Sequence, residues 1–309
     1  MEYIFRDINE AWTVLFDDLG NNQSEHQIKD FFQSSPRGRL CNETIGLSIK
    51  ILEPQQCLVW NKIRKLSPIY LAKEYLWYLK GSRTVEDAPS SVWNKLANTK
   101  DPDKGLVNSN YGAYIFTQPD NKNPEKTVWD ATIELLKRDS DSRQALIQIP
   151  IMSHRQDKDT PCTSSAHFIL REGKLYLTMY MRSCDAWFGA ANDWSQFIFW
   201  QLMMAKELDV ELGWFRYVAG SYHVYEENFI TDFDKYKEAM DDTFIKGKEE
   251  INYWKFYDDR NYRIIWNEIT EDFKTLTENS RKDMLENNLL KNEQLKYMLA
   301  NMEVSTFKN

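Results

Sequence analysis

TPCTSSAHFILREGKLYLTMYMRSCDAWFGAANDWSQF, running from Thr160 to Phe197, is the stretch whose reading decides the fold. HFIL and KLYLTMYMR, joined by REGK, predict a hairpin whose second strand ends on Arg182 and Ser183. The run WSQFIFWQLMMAKEL, Trp194 to Leu208, is apolar nearly all round, which predicts a central, buried helix. Further on, LGWFRYVAGSYHVY reads as a final strand that leads into a helix near Glu226. Asp193 stands at the threshold of the buried helix, and Cys162 stands just before the hairpin.

Working upstream, Ile8, Trp12, Leu15 and Phe16 fall at helical spacing, and a second short helix is expected through Ile28, Phe31 and Phe32. SPRGR then places Arg37 and Arg39 on a turn-rich loop, read either as a solvated basic loop or as an anion-binding one. TIGLSIKIL follows as a strand. PIYLAKEYLWYLK, Pro68 to Lys80, predicts a helix in which apolar residues crowd Glu74; spacing leans toward exposure on the one polar stripe. Residues 86–98 predict a helix that contains Trp93, and NSNYGAY, Asn108 to Tyr114, a turn entering an extended or helical segment. A helix from Lys126 to Lys137 and a strand in SDSRQALIQIPI, with Arg143 at its entry, complete the region. Beyond Tyr236 the chain is highly charged and helix-forming, with Ile264, Ile265, Ile269 and Phe273 as a modest apolar face. The division expected is a catalytic domain over residues 1–240 and a charged helical extension over 241–309.

Composition bounds the function. With 309 residues, 42% apolar, and 11 Trp, 16 Tyr and 16 Phe, the chain can bury a substantial core. A net charge of -8 argues against a surface that wraps polymeric nucleic acid, while leaving room for a small anion held by a few local arginines. The opening residues lack a secretory pattern and the apolar runs fall short of a membrane span, so a cytoplasmic protein is expected. Cys41, Cys57, Cys162 and Cys184 form no CxxC pair, and the histidines miss zinc-ligand spacings, so no metal is indicated.

Read from residues alone, Cys162 is either a small buried hydrophobe or a nucleophile, because a cation such as Arg182 favours a thiolate only where it is near in space. Asp193, or Asn192 beside it, is equally what a helix start calls for as an N-cap.

PC at Pro161 and Cys162, YMRSCDAWFG at Tyr180 to Gly189, the amide-acid pair at Asn192 and Asp193, and GSYHVYEENF at Gly220 to Phe229 together resemble the thymidylate synthase family. Upstream, LAKEYLWYLKG resembles the family's helix with a catalytic glutamate, NSNYG its active-site tyrosine segment, and DSRQ its phosphate-binding arginine pair. The resemblance spans Arg37 to Phe229. It implies an α/β fold in which a mixed, mostly antiparallel sheet is flanked by helices. It also implies that Cys162 adds to C6 of a pyrimidine nucleoside monophosphate, making C5 able to attack the one-carbon unit of 5,10-methylenetetrahydrofolate. Glu74 would organise water and proton transfers. Arg143, Arg182, Ser183 and Arg37 would bind the 5′-phosphate, and His223 and Tyr225 the sugar. Tyr111 would line the base pocket, and Asp185 and Trp93 would lie on the folate side. Because one subunit of this family lends arginine to its partner's site, Arg143 implies a homodimer.

Four departures refine the reading. Asp193 stands where the synthases have asparagine, and a carboxylate can hold the N4 amino group and a protonated N3 of cytosine. Thr163 replaces the usual histidine after the cysteine, which is most similar to the phage-type deoxycytidylate hydroxymethylases and their relatives acting on cytidylate. In these, water rather than hydride completes the reaction. Gln144 replaces a second arginine, and STFKN lacks the ending that closes over folate in synthases. The expected activity is 5-hydroxymethylation of dCMP. The rivals are a CMP hydroxymethylase, reductive methylation of dCMP or dUMP, and a catalytically silent nucleotide- or RNA-binding regulator.

Overall fold

A computed structural model describes residues 2–20, 30–59, 64, 66–97, 105–230 and 262–300. The strands are β1 (Tyr3–Phe5), β2 (Phe31–Ser34), β3 (Cys41–Ile51), β4 (Leu146–Gln148), β5 (Thr163–Arg171), β6 (Lys174–Asp185) and β7 (Glu211–Tyr225). The helices are α1 (Ile8–Gly20), α2 (Pro68–Lys80), α3 (Val92–Leu96), α4 (Val128–Arg138), α5 (Ala191–Leu208), α6 (Tyr262–Glu278), α7 (Arg281–Glu286) and α8 (Glu293–Ala300). One seven-stranded sheet has the order β1-β3-β7-β6-β5-β4, with β2 also paired to β3. The β1–β3 and β6–β7 pairs are parallel and the other four antiparallel, the mixed and mostly antiparallel α/β sheet expected.

Helix α5 is buried on nearly every side, with Trp194, Phe197, Ile198, Phe199 and Trp200 in the core. Its polar Gln201 is accommodated because Nε2 donates to the carbonyls of Leu175 at 2.9 Å and Gly213 at 3.2 Å. Helix α2 packs on α5, while α1 covers β3 and β7. No described helix is long and apolar enough to cross a membrane.

Inward-facing residues alternate regularly along each central strand and then change parity at one level of the sheet. In β7, Phe215, Tyr217 and Ala219 face the core, followed by Tyr222 and Val224; in β6, Met179 and Met181 are followed by Cys184. In β3, Asn42 and Thr44 are buried on one parity and Leu47, Ile49 and Ile51 on the other, with Gly46 between them at a φ of 71°. Strand β5 changes between Thr163 and Ala166, where its register against β6 shifts. Because side chains alternate with period two, each of these irregularities exchanges the faces of everything beyond it. The exchange turns Ser183, Asp185, Ser221, His223 and Tyr225 out of the core parity together.

Several expected elements differ. Ile28 lies outside the described residues, and Phe31 and Phe32 belong to β2, where pairing with β3 overrides the helical spacing. The helix expected over 86–98 is only α3 plus a single turn at Val85–Asp87, since the Pro89–Ser91 segment separates them; residue 98 lies outside the described set. The helix near Glu226 is one turn, Glu226–Asn228. Of the C-terminal stretch, 231–261 and 301–309, including STFKN, lie outside the described residues.

Helices α6 to α8 share the core of the rest of the chain. Tyr75 of α2 meets Trp266 and Phe273 of α6 with ring centroids at 5.7 and 5.3 Å, and Phe199 of α5 meets the same two rings. Asp272, buried in α6, accepts from the backbone N–H groups of Lys291 and Asn292 and so ties α8's approach to α6. Phe273→Ala is therefore expected to cost about 3–5 kcal/mol in equilibrium urea unfolding. Phe188→Ala, at a ring 55% exposed, should change stability by less than about 0.5 kcal/mol.

Candidate active site

Cys162 precedes β5, where its carbonyl accepts from Arg182 N at 2.9 Å. The Arg182 guanidinium folds back over the same loop: Nε donates to Pro161 O at 3.0 Å and Nη2 to Thr160 O at 2.8 Å, and Nη2 also lies 3.5 Å from Sγ. Burial pushes the thiol up to about 11; Arg182 and, more weakly, Arg37 act to lower it, whereas Asp193 raises it. The cation and the thiol, distant in sequence, are thus brought together.

The loop before Cys162 is clipped to the NSNYG turn. Asp159, buried, accepts from Ser109 N at 2.9 Å and Ser109 Oγ at 2.5 Å, and Asn108 Nδ2 donates to Asp159 O at 2.9 Å and Asp157 Oδ2 at 3.0 Å. His154 bridges Tyr114 OH, 2.9 Å from Nε2, and Asp157 Oδ2, 3.1 Å from Nδ1. Gly112 lies so close to α2 that an added Cβ would sit 1.8 Å from Tyr78 O, and only glycine permits that approach. Tyr111 then stacks on Tyr78 at 5.7 Å; burial raises its phenol, and Cys162 adds to the effect.

Glu74 is buried, 3% exposed, so the lean toward exposure is corrected. Its carboxylate is supplied with donors: Tyr70 OH at 2.9 Å, one turn earlier on α2, and Gln196 Nε2 at 3.3 Å from α5. Trp93 Nε1 in turn donates to Tyr70 OH at 3.2 Å. Desolvation raises Glu74 to about 7 against these hydrogen bonds, which oppose the shift.

Asp193 is not the N-cap. Helix α5 begins at Ala191 with Ala190 before it and no side-chain cap, because the wide turn Ala186–Ala190 feeds straight into it. The capping residue is Asp185, whose Oδ1 accepts from Trp187 N at 2.8 Å and Phe188 N at 3.0 Å. Burial holds the Asp193 carboxyl well above the usual carboxylate range, and the neighbouring Glu74 and Asp185 add to the effect. Asp185 is raised as well, first by burial.

Beyond the parity change, Ser183 pairs across from Ser221 and Asp185 from His223, and His223 also neighbours Glu43 of β3. Tyr225 stands edge-on to His223 at 5.0 Å. Arg39 lies over the Tyr225 ring, 3.7 Å from its centroid, and pairs with Glu227, whereas Arg37 is exposed and close enough to act on Cys162. Arg143 stands apart from this cluster. It stands at the entry to β4, and its carbonyl lies 3.1 Å from His167 Nε2 on β5. Asp185 also acts on Arg64, whose Nε donates to Trp187 O at 2.9 Å.

The sequence reading missed Tyr70, Gln196, Asp159, Ser109, Glu43 and Ser221. Tyr70 carries a signal, the i,i+4 spacing to Glu74 on one helix. Gln196 carries another, an amide inside a run that is otherwise apolar. The pairs Ser109 with Asp159 and Glu43 with Ser221 join segments far apart in the chain and leave no local pattern.

Comparison with known proteins bears on the same region. A family model described as "Thymidylate synthase" matches residues 58–240. A protein of Bacillus phage SP01 named deoxyuridylate hydroxymethyltransferase is 30% identical over 213 residues, covering 65% of this chain and 55% of that protein. Proteins named deoxycytidylate 5-hydroxymethyltransferase are 28% identical over 210 residues in Enterobacteria phage T6 and 29% over 184 residues in Enterobacteria phage T4. These cover 62% and 53% of this chain, and 79% and 70% of the relatives. The chain thus spans little more than half of the SP01 relative it matches. The family match takes in more than half the chain, and the chain belongs to the thymidylate synthase family.

Proposed function

We propose that the chain is a one-carbon transferase that hydroxymethylates C5 of a cytosine nucleotide, with dCMP as the favoured substrate. The observation that carries this reading is Asp193, a half-buried carboxyl within electrostatic reach of both Cys162 and Glu74. The names of the relatives support transfer of a hydroxymethyl group to a pyrimidine deoxynucleotide.

Cys162 would form the S–C6 bond, with its charge assisted by Arg182 and Arg37 once the nucleotide is bound. Asp193, whose carboxyl burial raises, can in its protonated form donate to N3 of cytosine while its other oxygen accepts from the N4 amino group. As Sγ adds at C6, N3 gains basicity and takes that proton, leaving the carboxylate held by two charge-assisted hydrogen bonds. Uracil offers only the carbonyl O4, a weaker base, at the place where the proton must go. Glu74, poised near neutrality, can accept and return a proton, and the donors Tyr70 and Gln196 fix its orientation. The C5 proton is exchanged for a hydroxymethyl group, water is consumed, and no hydride is transferred.

The residues present fit a folate. Asp185 uses Oδ1 in its turn and keeps a second acceptor oxygen, while Trp93 and the exposed Phe188 offer apolar surface. When bound, 5,10-methylenetetrahydrofolate supplies one carbon at the oxidation level of formaldehyde. Arg37, Arg182 and Ser183 would take the 5′-phosphate. Arg143 stands at the β4 side of the sheet, apart from them, and a second copy, docked on the sheet face that bears Tyr176, Tyr180 and Trp214, would supply it. A second reading, dUMP as substrate, is favoured by the name of the SP01 relative.

Cys162→Ser should keep nucleotide binding by calorimetry and lose turnover by several orders of magnitude; near-normal turnover would overturn the nucleophile. Asp193→Asn should lower kcat/KM on dCMP and raise it on dUMP, shifting their ratio by roughly ten- to a hundredfold, and an unchanged ratio would remove the base-reading role. Accumulation of dihydrofolate in step with nucleotide consumed would show reductive methylation instead. Glu74 also makes a stability prediction: its folded pKa is raised, so its contribution is fully present below about pH 4.5 and is lost as pH rises through about 7. Between pH 5 and 8 the wild type should lose more stability than Glu74→Gln, measured by urea unfolding at each pH. Sedimentation should show a dimer, and a monomer would leave Arg143 without a site.

A further inference from the structure

On β7 a hydroxyl and an imidazole are joined to a carboxylate that the mechanism does not use. Ser221 Oγ lies 2.7 Å from Glu43 Oε2 and 3.2 Å from His223 Nδ1. Strand pairing sets the triad, since Glu43 of β3 is the direct neighbour of His223, and Ser221 is two residues before His223 on the same face. His223 itself is buried, 6% exposed, with Tyr225 edge-on to its ring.

The polarity of this relay follows from counting protons. A carboxylate only accepts, so Ser221 must spend its single hydroxyl proton on Glu43. The serine oxygen is then left with lone pairs facing Nδ1, and a favourable contact there requires Nδ1 to carry a hydrogen. The ring is kept neutral first of all by its burial, which lowers its pKa against the opposing charges of Asp185 and Glu43. A neutral imidazole with its proton on Nδ1 has a bare lone pair on Nε2, and Nε2 has no hydrogen-bond partner among the described residues.

We propose that Glu43 and Ser221 are positioning residues that lock His223 in the Nδ1–H tautomer, presenting Nε2 as an acceptor for a donor hydroxyl of the pentose. The proposal rests on the nucleotide reading above and gives it a direction. In dCMP the sugar hydroxyl available is the 3′, and it must be free, because an oxygen esterified into a polymer has no proton to give. The site would therefore select the monomeric nucleotide before any chemistry, and would do so through two residues that touch no ligand.

Two measurements test this. A long-range proton–nitrogen spectrum of the free protein, with His223 assigned by its loss in His223→Gln among the four histidines, reads the tautomer without substrate. The wild type and Ser221→Thr should show Nδ1–H, and Ser221→Ala should lose that preference; an Nε2–H pattern in the wild type overturns the lock. Calorimetry then compares dCMP with its 2′,3′-dideoxy analogue. The wild type should prefer dCMP by roughly three- to tenfold, the ratio should approach one in Ser221→Ala, and Ser221→Thr should restore it. A ratio unchanged in Ser221→Ala overturns the acceptor role, because a purely structural serine would weaken both ligands alike. A protein with the Nδ1–H signature that binds neither nucleotide overturns the nucleotide reading while leaving the lock supported.

Discussion

The aligned change of parity across β3, β7, β6 and β5 is the constraint on which the site depends. A β-strand left to its period would bury Ser183, Asp185, Ser221 and His223 in turn with the apolar residues before them, and each would need a partner inside the core. One irregularity per strand, made at the same level, lets Tyr222, Val224 and Cys184 continue the apolar core while the polar set takes the opposite parity, where His223 stays buried beside Ser221 and Glu43. The shift must be made by neighbouring strands together. A single strand that changed parity alone would set a polar row against apolar neighbours.

That arrangement explains what the sequence made legible. The hairpin of β5 and β6, the helix α2 with its boundaries, and the all-round burial of α5 follow from periodicity and flanking residues, which act within a few positions. Phe31 and Phe32 misled because β2 exists only through pairing with β3. Glu74 misled because helical spacing reports how apolar the neighbours are and says nothing of Gln196, which arrives from another helix to make burial tolerable. Asp193 was expected at a helix threshold, and the capping duty fell instead to Asp185, one wide turn earlier. Motif resemblance supplied Cys162 and Arg182 as a pair, and the fold set them 3.5 Å apart.

The gathered carboxyls have an energetic sign. Glu74, Asp185 and Asp193 are all raised, each first by burial, so as pH rises above the ordinary carboxylate range the folded state holds protons that the unfolded state has already released, Glu74 up to about 7. The site thus works against the stability of the chain in the pH range where it would act, and the core beneath α5 must offset it. Groups held away from their ordinary ionisation are what proton transfer at neutral pH requires.

The packing of α6 against α2 bears on modularity. Tyr75 adjoins Glu74 in sequence, yet its ring is enclosed by Trp266 and Phe273, residues from beyond the stretch that the family model matches. The helix that holds the buried carboxylate therefore has one wall inherited with the family region and another supplied by the C-terminal helices. Such a chain cannot exchange its C-terminal segment for an unrelated one as beads on a string do. Sequence drift in α6 would be constrained by the shape of α2, and the two parts would have to change in concert.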